Sequence, residues 1–333
     1  MSEDRILLSH GDGGQRMAEL IERVFLTHLG PSEPPGDDAA RLSAPAELAF
    51  TTDAFVVDPI FFPGGDIGKL AICGTVNDLA TAGARPLALS ASFILEEGLP
   101  LADLERIVVS MAAAAAEAEV RVITGDTKVV PRGSADRLFI STSGIGAIPV
   151  GVAVSGASAR PGDVVLLSGA LGDHGLAVLS CREGLEFASP IVSDCAPLAG
   201  MVQDLLAAAP GVRALRDPTR GGLASTLNEF ARQSGVTIEV EERAVPVHPE
   251  VAAACDLLGL DPLYAANEGK MVVILPPEQA QAAFAALRAH RYGREAAAIG
   301  RVQEGAPRVL LRTALGSHRL LDRHVGEQMP RIC

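Results

Sequence analysis

Acidic residues recur beside glycine, threonine or asparagine in the first half of this 333-residue chain: Asp37 and Asp38 in GDDAA, Asp53 in TTDA, Asp78 in VNDLA and Asp126 in TGDTK. One aspartate in such a context is ordinarily a turn former or a helix cap. Five of them at the ends of separate elements make a donor set for a hard divalent cation such as Mg²⁺, which in turn neutralises a triphosphate. Lys128 follows Asp126 by two residues, so an extended backbone would project carboxylate and ammonium from one face toward the same phosphate. Glycines in HGDGG and PGGDIG would let backbone N–H groups close on anionic oxygen, although ordinary loop geometry explains them too.

The second half carries fewer but sharper signals. DPTRGGLAS sets Asp217, Pro218, Thr219 and Arg220 ahead of a helix whose Leu223, Leu227 and Phe230 face a core. Arg220 with the amides of that helix start forms an anion site; a plain cap by Asp217 or Thr219 is the competing reading. Glu268 in ANEGK stands just before an apolar strand, where partial desolvation raises a carboxyl pKa and suits it to proton abstraction. Neither GGDIGKL nor SGALGDHG has the spacing of a phosphate loop. The sequence closes on PRIC, so the Cys333 thiol lies beside the α-carboxylate. A terminal residue is ordinarily exposed and mobile, and exposed thiolates react.

Residues so far apart need a scaffold that gathers them. A chain of this length exceeds what one core usually serves, and the Pro-Gly-Asp turn of SARPGDVVLLSG restarts a strand pattern. The expected division is an N-terminal domain over 1–158, a C-terminal α/β domain over 159–312 and a tail over 313–333. Hydrophobic content of 48% suffices for two cores, whereas 4% aromatics without Trp favours Val, Leu, Ile and Ala packed between alternating strands and helices, an α/β or α+β class. Periodicity predicts helices near 14–28, within the Pro- and Gly-bracketed PGGDIGKLAICGTVNDLATAGARP, and near 101–118, 173–182, 196–208, 219–234, 247–258 and 277–290. Strands are expected in LAFTTDAFVV, PLALSASFIL, VRVITG, RLFISTSGIGAI, DVVLL, VTIEVE, KMVVIL, AAIGRV and RVLLRT. In the second of those helices Gly74, Asn77, Asp78 and Thr81 share one oddly polar face. From 312 onward periodicity is lost, and Arg312, Arg319, Arg323 and Arg331 make a basic tail that either docks in an acidic cleft or stays solvated.

Acidic residues outnumber basic ones by 41 to 28, a net charge of −13 that argues against nucleic acid or an anionic membrane as partner. Residues 138–159 are free of charge, but their glycines and Pro149 rule out a spanning helix, and the start of the chain lacks the pattern of a signal peptide. Five cysteines without a C-x-x-C pair suggest neither disulfides nor zinc, so a cytoplasmic location is expected. Cys73, Cys181 and Cys255 read as small buried hydrophobes; Cys195 is undecided.

Taken together, LSHGDGGQ, TTDAFVVDPIFFPGGDIGKLAICGTVNDLATAGA, FILEEGLP, TGDTKVV, SGALGDHG, DPTRGGL, ANEGK and the closing PRIC resemble the HypE family of hydrogenase maturation factors. That family belongs to an ATP-binding superfamily shared with aminoimidazole ribonucleotide synthetase, thiamine monophosphate kinase and selenophosphate synthetase. The resemblance implies the two-domain fold of that superfamily and a homodimer whose N-terminal sheets pair into a barrel. It implies ATP and Mg²⁺, with Asp38, Asp53, Asp78 and Asp126 as the metal and phosphate set and Asn77 and Lys128 beside them. The implied reaction turns a carbamoyl group on Cys333 into a thiocyanate, with Lys128 offsetting phosphoryl charge and Glu268 taking a proton. Implied partners are the carbamoyltransferase HypF, which loads the thiol, and the HypC–HypD complex, which receives the cyano group from a flexible tail. Asp12 departs from the family pattern, since a carboxylate in that glycine segment repels phosphates unless a metal intervenes. The alternatives are a small-molecule kinase or synthetase of the same superfamily and a non-catalytic scaffold. No Cys precedes Cys73, as a selenophosphate synthetase would require, and the acidic set argues against a scaffold.

Overall fold

The computed structural model describes residues 5–10, 15–30, 47–185, 190–323, 329 and 331–333; Asp12, Asp37 and Asp38 lie outside the described residues. In the first half, β1 (Leu48–Phe55), β2 (Arg85–Glu96), β3 (Arg121–Val130) and β4 (Leu138–Ala147) form a four-stranded sheet ordered β1-β4-β2-β3. Helix α1 (Ile67–Thr81) lies between β1 and β2 in the chain, and α2 (Leu101–Glu117) supplies the crossover that the parallel β2–β3 pair requires. Alternation along the strands sends Phe55, Leu89, Ala91, Phe93 and Ile140 to the helix side, where Leu104, Ile107, Val108 and Met111 of α2 are fully buried. The opposite face is open: Phe50 is 69% exposed, Leu48 44% and Ile94 43%.

Asp66 caps α1 by accepting from the Gly68 and Lys69 amides at 2.8 and 3.0 Å, which satisfies two of the donors that a helix start leaves orphaned. Two turns of small residues let α1 lie close to its neighbours. A Cβ on Gly68 would stand 2.5 Å from the Ile107 carbonyl oxygen of α2.

The second half adds β5 (Val164–Leu167), α3 (Asp173–Glu183), α4 (Ala199–Ala208), β6 (Ala214–Arg216), α5 (Gly222–Ser234), β7 (Thr237–Glu241), α6 (Pro249–Leu258), β8 (Val272–Leu275), α7 (Ala280–Ala289), β9 (Ala297–Gln303), β10 (Arg308–Arg312) and β11 (His318–Leu320). They build a seven-stranded sheet ordered β11-β10-β7-β9-β5-β8-β6, antiparallel except for β10 on β7. Strand β8 displays the logic of a sheet covered on both faces. Val272 and Ile274 join Leu223, Leu227 and Phe230 of α5, while Val273 and Leu275 join a core that is continuous with the N-terminal half. The two halves therefore share buried apolar surface, which fixes the cleft between them.

Two expectations need correction. Strand β11 forms where no periodicity was expected, because pairing with β10 rather than an apolar pattern holds it. Cys181 is exposed, on the outer side of α3, whereas Cys73 and Cys255 are buried as expected; Cys195 is buried too. The basic tail docks on the body: Arg312 pairs with Glu241, Arg319 with Asp261, Arg323 with Glu229 and Arg331 with Asp136. Among the described residues no helix is long and apolar enough to cross a membrane.

Gly68 yields a test of the close helix approach. Alanine gains about 1 kcal/mol in helix propensity, yet the missing space at Ile107 costs about 1–3 kcal/mol by overpacking against a backbone atom. Gly68→Ala is expected to lower stability by up to roughly 2 kcal/mol in urea unfolding; a stabilised variant would show that the helices separate freely.

Candidate active site

The last three residues run into the cleft between the halves. Val56 N donates to the Cys333 carbonyl at 3.3 Å, Asp58 N to that of Arg331 at 3.1 Å, and Ile332 is buried. Cys333 is half-buried rather than fully exposed as a terminal residue was expected to be, because main-chain hydrogen bonds hold it there. Its thiol is pushed up to about 12 by burial and by Glu268, with Asp53 and Asp217 adding to the effect and Arg220 opposing it. In this position the sulfur is a neutral thiol.

Carboxyl groups converge around it. Asp53 of β1 faces α1, where the Thr75 hydroxyl lies 3.4 Å from its Oδ2, and Asp78 of α1 accepts from Thr51 at 2.8 Å. Burial and the charge of Asp78 raise Asp53 from 3.8 to about 6, and burial raises Asp78 as well. Asp217, in the loop between β6 and α5, is buried and raised to about 7 by burial and by Asp78 and Asp53. An open cleft of about 380 Å³ passes along Thr51, Asp78, Arg216, Asp217 and Thr219. Among the described residues no three ligand-type side chains close tightly enough to enclose a metal ion by themselves.

Glu268 is only 2% exposed, so its desolvation is complete rather than partial as the sequence suggested. Burial first, then Cys195, Asp217, Asp194 and Asp53, drive its pKa well above the usual carboxyl range. Its backbone is pinned: Asp194 accepts from the amides of Glu268 and Gly269 at 3.1 Å each, and the Asn77 amide donates to the Glu268 carbonyl at 3.2 Å.

The predicted site residues divide accordingly. Asp53, Asp78, Glu268, Arg220 and Cys333 come together. Asn77, expected beside the phosphates, is fully buried with its amide spent on the Ala196 and Glu268 carbonyls and the Leu198 N–H; its task is to hold the halves in register. Asp126 and Lys128 are set apart from the cluster within the chain. The register Asp53–Thr142, Thr142–Ala91 and Ala91–Gly125 puts them three strands from Asp53, about 14 Å along the sheet. They also lie on the opposite face, since Thr127 between them is buried, and Lys128 Nζ bonds the Asp126 carboxylate at 2.6 and 2.7 Å. That ammonium holds Asp126 below the usual carboxylate range. Sequence reasoning passed over Asp217 as a cluster member, offering for it only a cap as a competing reading. No side chain caps α5, whose N-cap position is Gly221 with φ of 75°. His174 and Asp194 had no local signal that could have found them.

Comparison with known proteins decides the family. Residues 36–148 match the model for the AIR synthase related protein, N-terminal domain, and residues 160–311 that for the C-terminal domain. The carbamoyl dehydratase HypE of Cupriavidus necator is 55% identical to this chain, across 99% of this chain and 95% of that protein. The chain belongs to the HypE family. A crystal structure of a hydrogenase maturation protein HypE in complex with ATP is 54% identical and superposes with a TM-score of 0.95, covering 98% of this chain and 99% of that one. HypE in a crystallised HypE–HypF complex is 48% identical, with a TM-score of 0.82 over 93% of this chain and 100% of that one. The mixed α/β architecture of two halves is thus the HypE fold.

The crowded carboxyls of this chain carry a sign that can be measured. Asp53 at about 6 and Asp217 at about 7 titrate above the ordinary 3.8, so through that interval the folded chain holds more protons than the unfolded one. Stability therefore falls as pH rises from 3.8 to about 7. Asp217→Asn is expected to raise the melting temperature at mildly alkaline pH and to flatten its pH dependence; a lower melting temperature at that pH would contradict the assigned repulsion.

Proposed function

We propose that the chain uses ATP to dehydrate a carbamoyl group carried on its own Cys333, making the thiocyanate that supplies cyanide ligands in NiFe hydrogenase maturation. The observation that carries the reading is the docked sulfur, which shares its cleft with Glu268, Asp53, Asp217 and Arg220. An amide oxygen is too poor a leaving group to depart unaided, which is why the reaction needs a phosphoryl donor. The carbamoyl oxygen attacks the γ-phosphorus and ADP leaves. Loss of one N–H proton gives a phosphorylated imidate; the C–O bond then breaks, phosphate carries the oxygen away, and loss of the second N–H leaves S–C≡N.

Within the cleft Arg220 and the uncapped start of α5 face developing phosphate charge. Glu268 is the proton acceptor: burial raises its carboxyl well above the usual range, which makes its carboxylate a stronger base than an exposed one. Mg²⁺ suits the donor set, because Asp53, Asp78 and Asp217 offer only oxygen ligands whose mutual repulsion a cation relieves. Those three, which do not enclose an ion by themselves, would supply part of its ligand set, and when bound it would neutralise charge on the transferred phosphoryl group. Asp38 would join the set from outside the described residues.

The same reading gives the open sheet face its use. Leu48, Phe50 and Ile94 are apolar and exposed, and β1 and β3 are the two sheet edges. Two copies closing these sheets into a barrel bury the patch and set the edge with Asp126 and Lys128 beside the other copy's edge with Asp53, an approach that a single chain does not make. We assign the loading of Cys333 to the carbamoyltransferase HypF and its unloading to the HypC–HypD complex, in the cytoplasm. A thiol at about 12 is no nucleophile, so loading belongs to an undocked tail and dehydration to a docked one.

Glu268→Gln is expected to slow the ATP-dependent loss of one water from the carbamoylated terminal peptide by roughly 100-fold or more, followed by intact-protein mass spectrometry. Water loss at the unmodified rate would remove Glu268 from the chemistry. Phe50→Asp is expected to yield a monomer by light scattering that no longer turns over the loaded tail; a dimer of unchanged activity would exclude the barrel.

A further inference from the structure

SGALGDHG, which fails as a phosphate loop, forms the start of α3, and its residues meet the C-terminal tail. We infer that α3 is the receiver of the tail, with His174 as the positioning residue that seats Cys333 against Glu268. The catalytic consequence rests on the proposed dehydration, whereas the docking geometry stands apart from it. His174 is fully buried, with Nε2 3.0 Å from the Ile332 carbonyl and Nδ1 2.8 Å from Ser193 Oγ. A carbonyl can only accept, so Nε2 carries the hydrogen and Nδ1 accepts from the Ser193 hydroxyl. Ser193 Oγ in turn accepts from Cys195 N at 3.1 Å, which fixes the hydroxyl and hence the ring. Burial lowers the imidazole pKa, so this neutral tautomer persists.

At the other end of α3, Arg182 donates to the Arg331 carbonyl at 2.7 Å and to the Asp58 carbonyl at 2.7 Å. Between them Gly175 makes room for Met329: a Cβ there would lie 2.7 Å from its sulfur. With Val56 N on Cys333 and Asp58 N on Arg331, each of the last three carbonyls has a donor. Arg331 adopts a φ of 54°, uncommon for a residue with a Cβ, and is held there by contacts on both its carbonyl and its side chain. Every one of these contacts addresses main chain, Met329 or the Arg331 side chain, and none uses the thiol. The receiver therefore sets the register of the terminus for a free and a carbamoylated sulfur alike.

The test uses the full chain and measures iodoacetamide alkylation of the Cys333 peptide, with the exposed Cys181 as internal reference. His174→Leu is expected to alkylate at Cys333 about tenfold faster, the loss of one buried hydrogen bond, and to dehydrate the preloaded carbamoyl group about tenfold more slowly with the KM for ATP unchanged. His174→Gln, which keeps an N–H donor at that reach, restores both rates toward wild type. Arg182→Ala, nearer the surface, raises alkylation in the same direction and decides the matter if His174→Leu fails to fold. Alkylation within twofold of wild type in folded His174→Leu or in Arg182→Ala overturns the receiver. Faster alkylation with unimpaired dehydration also overturns it, because the docked pose would then not be the reacting one. If the loaded wild-type chain loses no water on ATP addition, the proposed reaction fails, and the alkylation ratios alone still decide the receiver.

Discussion

Asp53, Asp78, Asp217 and Glu268 share a region with little water, and every charge added there beyond the first is opposed by its neighbours and by burial. The cost is incompletely offset. Arg220 is exposed, and Arg216 divides its charge between the cluster and an ion pair with Glu229. Protons make up the difference at rest, which is why the carboxyl pKa values rise. A site in this condition favours whatever brings positive charge or takes protons away in a controlled order, and it sacrifices stability for that readiness.

Such a cluster persists only if the surrounding backbone cannot relax, and the ANEGK segment holds it. Asn267 accepts from the Gly172 N–H at 2.8 Å and donates to the Pro218 and Ala265 carbonyls at 2.9 Å each. It thereby ties the start of α3 to the loop that carries Asp217. Glu268 is the neighbouring charge that most raises the Cys333 thiol. A Cβ on Gly269 would fall 1.8 Å from the Asp194 carbonyl oxygen, so glycine alone permits the approach that lets Asp194 accept two successive amides. Lys270 then pairs with Asp194 at 3.4 Å. Asn77 closes the circuit from the other half, so receiver helix, acidic loop and candidate base are fixed relative to one another through short side chains.

Periodicity made the framework legible. The α2 stripe of Leu101, Leu104, Ile107, Val108 and Met111 is buried, and the central strands lie where apolar runs were bounded by Gly and Pro. Local pattern could not reveal what tertiary contact decides. Strand β11 exists by pairing, Cys181 is exposed because α3 turns its other side inward, and Asn77 looked like a ligand because polarity on an apolar helix has two causes, a bound group or a buried carbonyl to satisfy. At the site, Asp53, Asp78, Glu268, Arg220 and Cys333 were recognisable from residue type and neighbours. Asp217 was hidden by its likeness to a helix cap, and the gap between Asp126 and Asp53 by the fact that strand order is not written in any single segment.

A fixed cysteine could not serve both halves of the proposed reaction. Accepting a carbamoyl group calls for a thiolate, and a thiolate here is opposed by burial and by three neighbouring carboxyl groups. Dehydration calls for the reverse, a site poor in water where the phosphorylated oxygen departs without hydrolysis of the imidate. In the proposed cycle, moving the sulfur separates the two demands in space: it would be ionised and loaded where water and a partner stabilise its charge, then brought as a neutral thioester-like group into a cleft that would have rejected its anion. The cleft's negative charge thus also acts as a filter, because a carbamoylated sulfur has no thiolate to expose and enters at a lower electrostatic cost than the unloaded anion does.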